Sequence, residues 1–176
     1  MRKAALLLVL LLAGCSTDPP AVDPSPSTVV PFAGCAGLGP GQAELPEVSL
    51  PCFAGGESVQ MRQLRGPAVV NFWASWCEPC RAELPAFQRL SELNRVSVVG
   101  VATDDRRESA IALADDLGLK IPTLFDSSGE LRRALGEPNL PLTLFIDSSG
   151  KVTKYVGPAL TDEKLAELVR ERLGVA

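Results

Sequence analysis

Two kinds of hydrophobic pattern alternate along this chain, uninterrupted apolar runs and runs of helical period. Ala68–Ala74 and Val96–Ala102 are continuous apolar stretches, the first introduced by Gly66-Pro67, and both predict central strands buried on two faces. Between them the spacing predicts a helix from about 78 to 93, bent at Pro85. A second helix is expected over 106–117, with Ile111, Ala114 and Leu117 on one face and Gly118 just past its end. Thr123-Leu124-Phe125 is short enough to be a strand or a packed loop. Leu142–Ile146 and Val152–Val156 flank Asp147-Ser148-Ser149-Gly150-Lys151 and predict an antiparallel hairpin. A last helix over 161–173 opens on Asp162 and Glu163, buries Leu165, Leu168, Val169 and Leu173, and stops at Gly174. Val48–Leu50 and Ser58–Met61 predict short peripheral strands. This order implies an α/β fold, a mixed central sheet with helices on both faces.

The N-terminal pattern is different. Arg2 and Lys3 precede the apolar run Ala4–Ala13, which is too short for a permanent bilayer span and reads as a signal peptide. It ends Leu12-Ala13-Gly14-Cys15, which resembles a bacterial lipobox, with Cys15 the lipidated first residue of the mature chain. From 16 to about 42, Pro19, Pro20, Pro24, Pro26 and Pro31, then Gly34, Gly37, Gly39 and Gly41, predict a semi-extended spacer that packs no core. The expected organisation is a lipoprotein signal peptide over 1–14, a lipidated tether over 15–42 and a globular domain over 43–176. The protein is then extracytoplasmic and held to the bacterial cell membrane by its lipid.

Composition narrows the chemistry. A net charge of −4 without a basic patch argues against a nucleic-acid partner. The chain has no histidine, which removes Ser-His-Asp and Cys-His catalysis and His-ligated metals together. Five cysteines divide into Cys15, the pair Cys77/Cys80 and the pair Cys35/Cys52. Outside the cytoplasm the last pair reads first as a structural disulfide. The alternative, a four-thiolate zinc site from Cys35, Cys52, Cys77 and Cys80, has one Cys-x-x-Cys knuckle where such sites use two. No cofactor or metal is expected.

Trp76-Cys77-Glu78-Pro79-Cys80 follows the strand at 68–74 and opens the helix after it. Cys77 then lies at the positive end of the helix dipole, which favours thiolate, and Cys80 lies one turn on, within reach of a small disulfide ring. Pro79 falls in the first turn, where its missing N–H is harmless. Glu78 opposes the Cys77 thiolate and moderates it. By spacing, Glu83 shares a similar face with both cysteines, and partial burial there would raise its pKa and suit it to handle the Cys80 proton.

The segment Val69-Val70-Asn71-Phe72-Trp73-Ala74-Ser75-Trp76-Cys77-Glu78-Pro79-Cys80-Arg81-Ala82-Glu83-Leu84-Pro85 resembles the active-site segment of the TlpA/ResA-like family of membrane-tethered thioredoxin-fold proteins. The resemblance runs from about Leu45 to the C-terminus. It implies a thioredoxin-like domain and thiol–disulfide exchange at Cys77 and Cys80, with Glu83 at the family's acidic position. Asn71 stands where thioredoxin has a buried aspartate. The resemblance also implies a cis proline at Pro141, facing the dithiol and forming the substrate groove with Trp76. The expected partners are disulfide-bearing exported proteins such as apocytochrome c, and a membrane thiol-electron donor such as a CcdA-like transporter. A disulfide-forming oxidase is the alternative direction. A thiol peroxidase would need Thr or Ser where Ala74 stands, and a non-enzymatic surface lipoprotein leaves Trp76, Pro79 and Pro141 unexplained together.

Overall fold

The structure, a computed structural model, describes residues 30–175. The signal peptide over 1–14, Cys15 and the tether as far as residue 29 lie outside the described residues.

The apolar run forms β3 (Ala68–Trp73), every residue of it buried. It is the middle strand of a five-stranded sheet. On one side it pairs in parallel with β4 (Ser97–Thr103), which pairs in parallel with β5 (Thr123–Asp126). On the other it pairs antiparallel with β6 (Leu142–Ile146), which makes a hairpin with the exposed edge strand β7 (Val152–Val156). A separate two-stranded ribbon joins β1 (Ser49–Leu50) to β2 (Val59–Gln60). The 123–125 ambiguity resolves as a strand because its backbone completes the β4 edge.

Three helices share one face of the sheet. These are α1 (Glu78–Glu92), α2 (Arg107–Leu117) and α4 (Asp162–Leu173). Their apolar stripes meet Val69, Trp73, Val98, Ala102 and Phe145, the residues of alternate pleats that point that way. Val70, Phe72, Val99, Val101, Leu142 and Leu144 point to the opposite face. That face is covered by residues 35–64 and by a short helix α3 (Glu130–Ala134), which contributes Leu131. Sequence periodicity did not predict α3, since five residues with one buried leucine carry no readable stripe.

Three expectations change. α2 buries Ala110, Leu113 and Ala114, while Ile111 and Leu117 are only half-buried, so its buried stripe is centred one residue earlier than the larger side chains suggest. Leu173 is likewise half-buried. The spacer expected through residue 42 packs core in its second half: Phe32, Cys35 and Leu38 are all buried. Backbone bonds fix that stretch, with Gly41 N donating to Gln63 O at 2.7 Å and Arg65 N to Leu38 O at 2.9 Å.

Candidate active site

β3 runs out at Trp73, and Ala74-Ser75-Trp76 carries the chain over the sheet end to Cys77, the N-cap of α1. The cap geometry is extended, φ −87° and ψ 100°, and Cys77 Sγ accepts the Cys80 backbone N–H at 3.3 Å. An N-cap acceptor satisfies one of the orphan N–H groups of the first turn. Here that acceptor is a sulfur, so the same N–H would stabilise a thiolate at Cys77 once the ring opens. Cys77 and Cys80 form a disulfide, Cα atoms 5.3 Å apart. Cys80 is fully enclosed, whereas Cys77 keeps a sliver of exposure at 5%. The structure therefore pairs these two sulfurs with each other, and Cys35 with Cys52, instead of gathering four thiolates.

Behind the dithiol, α1 turns Glu83 inward. Its carboxylate is buried, accepts from Asn71 Nδ2 at 2.7 Å, and accepts from the Leu160 backbone N–H at 2.9 Å. Burial pushes its pKa up to about 7, and the two hydrogen bonds act the other way, holding it from rising further. Asn71 and Thr143 are cross-strand partners on β3 and β6, both buried. Asn71 Oδ1 and Thr143 Oγ1 have no hydrogen-bond partner among the described residues.

Two loops adjoin the start of α1. Trp76 is 62% exposed and its Nε1 donates to the Asp104 carbonyl at 2.9 Å. Ser75 is held by Asp105, whose carboxylate accepts the Ser75 N–H at 2.5 Å and its hydroxyl at 2.8 Å. The second loop holds the cis Leu140–Pro141 peptide and leads into β6, whose first residue Leu142 pairs with Phe72. Sequence reasoning missed Asp104 and Asp105. They follow β4, and only the parallel β3–β4 register brings them beside Ser75 and Trp76.

A strand-delivered Cys-x-x-Cys at a helix N-terminus, on a mixed sheet whose neighbouring strand β6 is entered through a cis proline, defines a thioredoxin-like thiol–disulfide oxidoreductase. Residues 42–155 match the model of the AhpC/TSA family, and the chain belongs to that family. It is similar to thiol-disulfide oxidoreductase ResA of Bacillus thuringiensis subsp. konkukian, with 30% identity over 120 residues, 66% of this chain and 69% of that one. It is 36% identical over 115 residues to the thiol:disulfide interchange protein DsbE of Pseudomonas fluorescens biotype C, covering 64% of each chain. Among solved structures, MTB DsbF, described in mixed oxidised and reduced forms, superposes with a TM-score of 0.65 at 26% identity, over 72% of this chain and 98% of that one.

Proposed function

We propose that this protein is an extracytoplasmic, membrane-tethered reductant of disulfides in exported proteins, with Cys77 as nucleophile and Cys80 as resolving thiol. The observation that supports these roles is the asymmetry of the pair. Cys77 alone reaches solvent and receives an N–H at its sulfur, while Cys80 is enclosed. The Cys77 thiolate attacks one sulfur of the substrate disulfide, forming a mixed disulfide and releasing the other sulfur as thiolate. Cys80, losing its proton to Glu83 directly or through water, attacks Cys77 Sγ. The substrate's second thiolate departs and the 77–80 ring closes. Two electrons pass to the substrate. A membrane dithiol donor of the CcdA kind restores the enzyme by the same steps in reverse. Trp76 and Pro141 line the groove that receives the substrate chain, and apocytochrome c is a substrate of the right class. Cys15 supplies the lipid anchor.

The reduction potential of Cys77–Cys80, equilibrated against glutathione or dithiothreitol, tests the direction. The expected value lies near that of thioredoxin, about −270 mV. A value near about −120 mV overturns the reductant reading in favour of a disulfide-forming oxidase. Cys80→Ser is expected to accumulate the mixed disulfide on Cys77, visible as a mass increase, and Cys77→Ser to form none.

A further inference from the structure

The loop that holds Trp76 and the loop that carries Pro141 are joined by one side chain that takes no part in the exchange steps. Trp76, though largely exposed, is fixed at its Nε1 by the Asp104 carbonyl. Asp104 is one of two non-glycine residues with positive φ among the described residues, at φ 48°, a conformation that persists only where its surroundings enforce it. Two contacts enforce it here. The Asp104 N–H donates to Asp126 O at 3.1 Å, and the carboxylate is gripped by Arg132 of α3 through both Nε, at 3.1 Å, and Nη2. The approach is tight as well at Gly129, the N-cap of α3, where a Cβ would collide with the Asp104 carboxylate.

Arg132 has a further contact. Its Nη1 donates to the carbonyl of Pro138, three residues before the cis proline. One guanidinium therefore spans from the loop that anchors Trp76 to the loop that carries Pro141. Its side chain is 14% exposed and the Asp104 side chain 28%, so the pair is partly withdrawn from water and screened less than a surface pair. The planar fork suits this task. It offers donors in fixed directions to two acceptors at once, whereas an ammonium is a compact point charge.

We propose that Arg132 is a positioning residue for substrate docking: it fixes the separation of the Trp76 loop and the Pro138–Pro141 loop, and so governs recognition of polypeptide disulfides without touching the sulfurs. This rests on the reading above that the groove receives a protein substrate. A small disulfide needs only access to Cys77, whereas a peptide must contact both loops, so the two kinds of substrate separate docking from exchange.

The test compares wild type with Arg132→Gln, Arg132→Lys and Asp104→Asn. Each is assayed with a short peptide bearing one intramolecular disulfide, with dithiothreitol as donor, and with dithiobis(nitrobenzoate) as small disulfide. Expected for Arg132→Gln is a rise in the peptide KM of about tenfold, equivalent to about 1.4 kcal/mol of lost binding, with kcat kept within about twofold. The rate with dithiobis(nitrobenzoate) stays within about twofold of wild type. Arg132→Lys follows Arg132→Gln, because the lysine cannot reach both acceptors. Asp104→Asn shows the same KM shift from the Trp76 side and serves if the Arg132 variants fail to fold. The proposal is overturned if the variants slow peptide and small disulfide in proportion, or if neither changes. A wild type that exchanges with dithiobis(nitrobenzoate) but not with the peptide overturns the protein-reductant reading, and this inference with it. An active wild type matched by its variants overturns this inference alone.

Discussion

Glu83 is the residue on which burial and hydrogen bonding pull hardest against each other. Enclosure in the core beneath α1 favours the neutral acid, while Asn71 Nδ2 and the Leu160 N–H both prefer the carboxylate. The balance near 7 means that the group exchanges its proton at neutral pH, which suits the role proposed for it as base for the Cys80 thiol. An ordinary glutamate would be ionised throughout that range. The same shift has a thermodynamic sign. Between the ordinary value of 4.5 and about 7 the folded chain holds a proton that the unfolded chain has released, so stability falls as pH rises across that window and levels off above it. The loss is on the order of 3 kcal/mol, taking about 1.4 kcal/mol per unit. Glu83→Gln removes the titrating group, so urea-unfolding free energies measured from pH 4.5 to 8 are expected to lose that downward slope. Resolution of the Cys77 mixed disulfide, followed by stopped flow at pH 7, is expected to slow on the order of 10²-fold. A variant that retained the wild-type slope would place the proton on another group. The position of Glu83 was legible from its spacing to Cys77 and Cys80. Its contacts with Asn71 and Leu160 were not, because they depend on strand β3 and on the turn before α4 reaching the same point.

At the scale of elements, legibility follows how much apolar surface each one buries. β3 and the N-terminus of α1 could be read at once, since Val69, Val70, Phe72 and Trp73 leave no polar face and Cys77-Glu78-Pro79 marks a helix start. α2 was legible as a helix but not in phase, because its inward stripe is made by Ala110, Leu113 and Ala114, and the bulkier Ile111 and Leu117 sit at the rim. α3 was not legible at all. Glu130-Leu131-Arg132-Arg133-Ala134 has one core residue, and its placement comes from tertiary contacts at its ends. Gly129 is the most exacting of them. It sits at φ 69° and leaves no room for a side chain beside Asp104. Gly129→Ala imposes both the left-handed penalty, roughly 1–2 kcal/mol, and a collision with a carboxylate that is itself held by Arg132. Its urea midpoint is expected to fall by an amount equivalent to about 2 kcal/mol or more at unchanged m. At Gly118, also left-handed at φ 64° but with open space around it, alanine should cost only the backbone term. Equal losses at the two sites would show that the Asp104 approach carries no weight.

Across the whole molecule, the folded unit begins earlier than its composition suggests. Proline and glycine between 16 and 42 announce a chain with no core of its own, and of that stretch residues 30–42 are the described part. That part borrows the domain's core instead. Phe32 lies 4.8 Å from the Phe53 ring and 6.3 Å from Trp73, the last residue of the strand that delivers the dithiol. Arg107 caps Phe53 at 4.6 Å, and Ala33 N bonds Lys120 O at 2.9 Å. Cys35–Cys52 ties this arm to the segment that bridges to Leu124 of β5. A sequence separation of 17 gives the crosslink a loop-closure contribution of about 3 kcal/mol. The two disulfides differ in position: one lies at the start of α1, the other ties the arm to the segment that bridges to β5, and its two cysteines are buried. The joint variant Cys35→Ala/Cys52→Ala is expected to lower unfolding free energy by about 3 kcal/mol, read from urea titration of the oxidised protein. Exchange of Cys77–Cys80 with dithiothreitol should stay within about twofold in the same sample, because no step of the proposed reaction passes through the arm. If the variant instead shifted the Cys77–Cys80 equilibrium while stability held, the second disulfide would be a redox partner of the first, and the arm would belong to the mechanism as well as to the fold.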